Sequence, residues 1–324
     1  MSKITRMLCV LLTAFFFTGC AYVNVPLMPT PQPLQEQVIE GKGTAKILLM
    51  DITGVISEQD KEKMITGNVT PSMVAKVRET LQKANQDPNI VGVIIRINSP
   101  GGTITASDII HHEIVRFRAQ KKVPVYTCMT GLGASGAYYI ATATDNITAN
   151  PTSITGSIAV LMMTYNVEGL MNKIGVSELT FKSGDKKDIL SPFRPATPEE
   201  KQIVQNIINQ MHKRFVDKIM ARPGNTLVRK EIEALADGRI YTAEQALTMK
   251  LIDRIGYLDD VITDMKKTIG VADARIVTYY QEGDYKGTIY SSSTAQSSRL
   301  TGMLTGGNGF DWLGETQFMY LWKP

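Results

Sequence analysis

Ser135 stands in the stretch Met129-Thr-Gly-Leu-Gly-Ala-Ser-Gly-Ala-Tyr-Tyr-Ile-Ala141, where a short apolar run enters a glycine-rich turn and leaves it as a helix start. A serine at a strand-to-helix turn is presented at the end of a sheet, and the N–H groups beside it point where an oxyanion would form. That is the chemistry of a nucleophile in acyl transfer. A glycine-bearing turn with an N-cap serine uses the same residue types, so the partners must decide. A serine hydroxyl needs a base, and the histidines of the chain are His111, His112 and His212. The first two are adjacent in mid-helix, where at least one must face solvent, and the third lies on a long amphipathic element. That arrangement serves a Ser-His-Asp triad poorly. Lysine is the other candidate: its amine accepts a proton near neutral pH once burial disfavours the ammonium form, and a second hydroxyl can orient it.

The 324 residues are 43% hydrophobic and 20% charged, a globular composition able to bury a large core. Net charge is +4, and Lys and Arg are spread without a basic run or an aromatic-basic ladder, so nucleic-acid binding is not indicated. Cys9, Cys20 and Cys128 are too few for a disulfide scaffold and lack metal-ligand spacing. Cys128, on the strand before the Ser135 turn, reads as a small buried hydrophobe. No metal site and no cofactor is implied.

The elements that must position Ser135 alternate in type. Ala45 to Ile52, Val91 to Ile97 and Val123 to Met129 read as apolar strands covered on both faces. Between them lie a helix after Thr70-Pro71 with Val74, Val77, Leu81 and Ala84 on one face, and another from Ala106 to Phe117. This rhythm predicts right-handed crossovers and a parallel sheet. The turn Asn98-Ser-Pro-Gly-Gly102 and the Ser135 turn then share the carboxyl edge of that sheet, where open α/β folds place their sites. Further on, Glu178 to Lys182 reads as a strand, and Val167 to Ile174 as a helix. Thr197-Pro-Glu-Glu200 is a capping box opening the longest helix, and Thr242 to Lys250 and Leu258 to Ile269 are further helices.

Both ends differ from this body. Residues 1–19 read as a secretory signal, with Lys3 and Arg6 before an apolar run too short to span a bilayer. Phe17-Thr-Gly-Cys20 resembles a bacterial lipoprotein box, which implies cleavage before Cys20 and a lipid on that residue. Residues 20–43 carry Pro26, Pro29, Pro31 and Pro33 and read as a tether without a fold of its own. The folded domain is expected over 44–281. Residues 282–324 begin as a flexible Gly/Ser/Thr segment and end in an aromatic cluster, Trp312 to Trp322, that should dock on the chain's own domain, a neighbouring subunit or the membrane interface.

Four ordered motifs carry a resemblance over roughly Lys46 to Ile269. They are Arg96-Ile-Asn-Ser-Pro-Gly-Gly102 with Ser107, Gly133-Ala-Ser-Gly-Ala-Tyr-Tyr-Ile-Ala141, Thr155-Gly-Ser-Ile-Ala159, and Ser183-Gly-Asp-Lys-Lys-Asp188 with Ser191-Pro-Phe-Arg194. Asp237-Gly-Arg-Ile-Tyr-Thr242 and Leu251-Ile-Asp-Arg-Ile-Gly256 match as well. The chain resembles the signal peptide peptidase A (protease IV) family of bacterial serine-lysine peptidases, in the Clp protease and crotonase superfamily. The resemblance implies an α/β fold with a parallel sheet core, flanking helices and a C-terminal helical extension. It implies Ser135 as nucleophile, Lys187 as general base with Lys186 as rival, and Ser157 as the hydroxyl that orients the lysine. The N–H groups of Gly102 and Gly136 would form the oxyanion hole. Ala137 departs from the second glycine often found after the serine. The chain has no internal duplication, and short members form homo-oligomeric rings in which one subunit supplies the serine and its neighbour the lysine.

The expected activity is therefore that of a lipid-anchored endopeptidase of the bacterial cell envelope, facing the periplasm or the exterior. It would cleave signal peptide remnants or other extended apolar peptides through an acyl-enzyme. General envelope protein quality control is an alternative. A lipid-anchored scaffold that keeps the fold for partner binding is another, weighed down by intact Ser135, Ser157 and Lys187. A crotonase-like acyl-coenzyme A enzyme would need no serine-lysine pair.

Overall fold

The computed structural model describes residues 33–62, 69–280, 288–289 and 319–321. The expected signal, Cys20 and most of the 282–324 segment lie outside them. In chain order the elements are β1 (Gln35–Glu40), β2 (Lys46–Thr53), the short pair β3 (Lys61–Glu62) and β4 (Val69–Thr70), α1 (Met73–Gln86), β5 (Ile90–Ser99), β6 (Gly101–Thr103) and α2 (Ile104–Lys121). There follow β7 (Val125–Ala134), α3 (Gly136–Ala141), β8 (Asn146–Ala149), β9 (Ile154–Gly156), α4 (Glu168–Ile174), α5 (Pro198–Met220) and α6 (Arg229–Leu235). The last are β10 (Ile240–Thr242), α7 (Ala243–Thr248), β11 (Arg254–Ile255), α8 (Leu258–Ile269), β12 (Arg275–Tyr280) and β13 (Met319–Leu321).

The main sheet runs β1-β12-β2-β5-β7-β8-β11, with β9 pairing β7 and β10 pairing β9 beside it; all pairs are parallel except β1 with β12 and β10 with β9. Its central strands are buried on both faces because their side chains alternate between two apolar layers. Leu48, Met50 and Ile52 of β2 and Val93, Ile95 and Ile97 of β5 pack toward α1, α2, α3 and α5. Ile47 and Leu49 of β2, Ile94 of β5 and Cys128 of β7 turn the other way, against Leu258, Val261, Ile262 and Met265 of α8. Cys128 is thus the small buried residue expected, its thiol pushed up to about 12 by burial.

The caps account for several boundaries. Thr197 accepts from the Glu200 N–H while the Glu200 carboxylate accepts from the Thr197 N–H, the reciprocal box that opens α5. Thr242 and Gln245 repeat it for α7. At α1 the cap is Ser72, whose hydroxyl accepts from Ala75, and not Thr70, which belongs to β4.

Three stretches depart from the periodicity. Gln35–Glu40 lies in the expected tether yet forms β1, antiparallel to β12. All four prolines precede it, so every residue of the strand keeps its N–H, and Lys46 Nζ anchors Glu36 at 2.7 Å. The second is Glu178 to Lys182, which forms no strand and leaves Leu179 80% and Phe181 88% exposed. Its apolar-polar alternation matches a half-buried strand, but no described part of the chain lies against its apolar side. The third is the C-terminal part: its helices α5 to α8 are present, and between and after them β10, β11 and β12 return to the sheet.

Candidate active site

Strand register brings three glycine-bearing turns to one edge. Ser99 of β5 is opposite Gly133 of β7, which sets the Gly101-Gly102 turn beside the Ser135 turn. On the other side of β7, Ala134 is opposite Gly156 of β9, which sets Ser157 beside Ser135. The register thus sets the turns that carry Gly102, Ser135, Gly136 and Ser157 side by side; the sequence had placed the first two turns on one edge, and the strand β9 adds the third.

Ser135 occupies a backbone conformation of φ 57°, ψ −117°, which L-residues rarely adopt and which surrounding structure must impose. Its N–H donates to the Gly156 carbonyl at 2.7 Å and its carbonyl accepts from the Tyr139 N–H at 2.9 Å, so the turn is held from both sides. The hydroxyl makes no capping bond, although it precedes the first residue of α3. Oγ is thus not committed to the helix end, and the Gly136 N–H is among the first donors of a helix, which have no intrahelical partner. Ser157 has φ 52° and is buried, with its N–H on the Arg239 carbonyl. Ala137 is fully buried in the core, where its methyl group is accommodated.

The helix after the nucleophile is fixed from below. Every residue of α3 is fully buried. Tyr138 donates to the Leu251 carbonyl at 2.8 Å, and Tyr139 donates to Asp108 of α2 at 2.5 Å. Arg214 of α5 reaches both oxygens of Asp108, at 2.9 and 2.8 Å, so one carboxylate joins α2, α3 and α5. No sequence motif marked this cluster; Asp108 and Arg214 are 106 positions apart. His111 packs edge-on against Tyr139 with ring centroids 5.3 Å apart, while His112 is exposed. Neither histidine bonds to Ser135, and His212 instead meets the Ala236 carbonyl at 2.8 Å.

Burial pushes the His111 imidazole down to about 3, with Lys218 and Arg214 adding to the effect and Asp108 opposing it. Its Nδ1 is buried without a hydrogen-bond partner among the described residues. The folded chain keeps His111 neutral where an unfolded chain, with an ordinary value of 6.5, protonates it. Between those values the unfolded state binds the extra proton, so stability falls as pH drops through the window. Urea unfolding at pH 7 and pH 5 should differ by about 2 kcal/mol from this group, a difference that His111→Phe removes.

The expected base differs from this buried cluster in its exposure. Lys187 is exposed, and among the described residues its amine bonds to neither Ser135 nor Ser157. Its loop is nevertheless held firmly. Arg194 donates to Asp188 at 2.8 and 2.9 Å and to Glu200 at 2.9 and 2.6 Å, while Lys182 donates to Asp188 at 2.7 Å. Arg194, then Lys182, holds the Asp188 carboxyl well below the usual carboxylate range. Arg194, then the Thr197 N–H, lowers that of Glu200 to about 2. Stability from these carboxylates is fully present above the ordinary carboxylate range and is lost progressively as pH falls below it, through about 2 for Glu200, so the loop stays anchored between pH 7 and pH 5. Lys186 pairs with Glu199, a bond that raises its pKa and disfavours it as a base.

A buried parallel sheet under a strained serine elbow is a geometry that suits a serine nucleophile, and the family models specify the class as a serine peptidase of the Clp protease-like α/β fold. Residues 117–272 match the family model of peptidase family S49 and residues 49–155 that of Clp protease. A relative from Enterococcus faecium, named as a signal peptide peptidase SppA, is 33% identical over 245 residues, 76% of this chain and 70% of its own length. Protease 4 of Salmonella typhi is 31% identical over 221 residues, 68% of this chain and 35% of that protein. The chloroplastic serine protease SPPA of Arabidopsis thaliana is 32% identical over 201 residues, 62% and 29% of the two chains. The chain belongs to peptidase family S49. Among its described residues no helix is long and apolar enough to cross a membrane.

Proposed function

We propose that this chain is a membrane-anchored serine endopeptidase that works through a Ser135–Lys187 dyad shared between subunits of a homo-oligomeric ring. The observation that carries the reading is the contrast between a buried, strained Ser135 and an exposed Lys187 whose loop is itself anchored. Desolvation is what frees a lysine amine to act as a base. A second copy packed over the loop supplies that desolvation. The segment that carries Lys187 has the apolar surface for it: Ile174, Leu179 and Phe181 are 65%, 80% and 88% exposed.

In this reading the Lys187 amine of one subunit, oriented by Ser157 of the next, takes the Ser135 proton as Oγ attacks a peptide carbonyl. The Gly136 and Gly102 N–H groups receive the oxyanion. Collapse releases the amine fragment, which takes the proton from Lys187, and leaves an acyl-serine that water hydrolyses by the same route. The substrate lies as an added strand with small or apolar side chains in the pockets, as suits signal peptide remnants or other extended apolar peptides. The lipid on Cys20 would hold the domain at an envelope membrane. That residue lies outside the described region, and palmitate labelling of wild type against Cys20→Ala tests it.

The activity is tested by cleavage of an unfolded protein and an apolar signal-like peptide by the full chain beside Ser135→Ala. A folded, assembled wild type with no activity sinks the proposal. Arg194→Ala frees the Lys187 loop without touching substrate, so kcat should fall about 10²-fold, the scale of a displaced catalytic group, with KM nearly unchanged in steady-state kinetics.

A further inference from the structure

The main-chain N–H of Tyr139 holds the Ser135 carbonyl, and the Tyr139 side chain is itself pinned at its far end. Its ring lies edge-on to Phe215 of α5, with centroids 5.1 Å apart, as well as to His111 of α2. Its hydroxyl donates to Asp108, which Arg214 grips from α5 and which Lys218 approaches to 3.9 Å. Burial works against the Asp108 charge, but the bonds from Arg214 and Tyr139 outweigh it and hold the carboxyl below its usual range. The tie is therefore ionised throughout the neutral range. α3 has six residues, too few to be stable as a helix by itself, so its place is set by what anchors its side chains.

We infer that Asp108 is a positioning residue for the nucleophile: through the Tyr139 hydroxyl it fixes the residue whose N–H holds the Ser135 carbonyl, and so keeps Oγ aimed. The inference rests on the proposed reading of Ser135 as nucleophile. Asp108 acts at one remove, since its carboxylate meets the side-chain end of Tyr139 while Ser135 is bonded at the main-chain end. Arg214 sets the direction of that carboxylate by reaching both of its oxygens. Ser135 needs such a hold because its backbone conformation relaxes unless the surroundings impose it. Without the tie, the ring packing of Tyr139 and the bond from the Ser135 N–H to Gly156 keep the fold standing, but the carbonyl side of the turn drifts. A shift of about 1 Å costs a reacting group about 10²-fold in rate, so a smaller drift is still costly.

Tyr139→Phe deletes only the hydroxyl, and Asp108→Ala the acceptor it meets. In the full chain each should lower kcat for an apolar signal-like peptide about tenfold, the scale of a part-displaced nucleophile, with KM nearly unchanged. The double variant should be no slower than either single one, because both cut the same tie. Asp108→Asn keeps an acceptor oxygen for Tyr139 and should recover part of the loss. Tyr126→Phe is the control: it removes a tyrosine hydroxyl bond, to Thr268 at 2.7 Å, on the α8 face of the sheet, and should leave kcat at the wild-type value. Amide exchange at position 139, which needs no turnover, should accelerate in Tyr139→Phe and in Asp108→Ala. A kcat unmoved by Tyr139→Phe would overturn the proposal, as would an equal loss in Tyr126→Phe or losses that multiply in the double variant. No hydrolysis by any form, with the amide still accelerated, would refute the peptidase reading and leave the hold of Asp108 on the Ser135 turn intact; no hydrolysis with an unmoved amide would refute both.

Discussion

Ser135→Ala and Lys187→Ala chains are each expected to lose peptide cleavage by at least about 10³-fold, the residue of catalysis that binding and the oxyanion donors retain. An equimolar mixture assembled together should recover about a quarter of wild-type activity, because that fraction of interfaces joins an intact serine to an intact lysine. Neither substitution should disturb the fold. Ser135 Oγ makes no capping bond, and alanine at φ 57° is no more strained than serine. Lys187 is exposed, so its loss removes no buried contact. Lys186→Ala should stay active, since that amine is committed to Glu199. An inert mixture of folded, co-assembled chains would overturn the shared dyad, and an active Lys187→Ala with an inactive Lys186→Ala would exchange the base.

Gly102→Ala is the second large effect, and it should strike stability and catalysis together. A Cβ there would stand 1.9 Å from the Ile56 carbonyl oxygen and 2.6 Å from the Ile56 nitrogen, both backbone atoms. Neither side can yield cheaply, because Ile56 is tied to β6 by two hydrogen bonds. The cost should be about 3 kcal/mol or more, in the upper range for single substitutions. Any folded fraction should show kcat reduced about 10²- to 10³-fold as the N–H proposed for the oxyanion moves away. Gly54→Ala separates space from conformation: Gly54 has φ 81° with nothing within 4 Å of a Cβ, so it should cost only about 1 kcal/mol of backbone strain. Thermal unfolding of the two variants beside wild type measures the difference. Equal losses would mean that the approach of Ile56 to β6 does not constrain this turn.

Inside one strand or helix, the sequence was a sufficient guide. The near-continuous apolar runs Ala45 to Ile52 and Val91 to Ile97 announce strands buried on both faces, since successive side chains point to opposite faces by backbone geometry alone. The boxes at Thr197 and Thr242 mark helix starts because cap and helix lie three residues apart. The strand–Gly–Ser–helix run around Ser135 likewise carries its own geometry. Tertiary structure decided what covers each surface and what closes each edge. Gln35–Glu40 becomes a strand because β12, some 240 positions away, offers it an edge; Asp108 becomes the tie between three helices because Tyr139 and Arg214 arrive beside it. Met319–Leu321 has its place because Gly102 leaves a backbone N–H and carbonyl facing that side. Glu178 to Lys182 shows the converse, with the alternation of a strand and no described edge to receive it. A residue pattern records which faces are apolar and which backbone groups need partners. The identity of the partner depends on long-range closure of the chain, which no local period encodes.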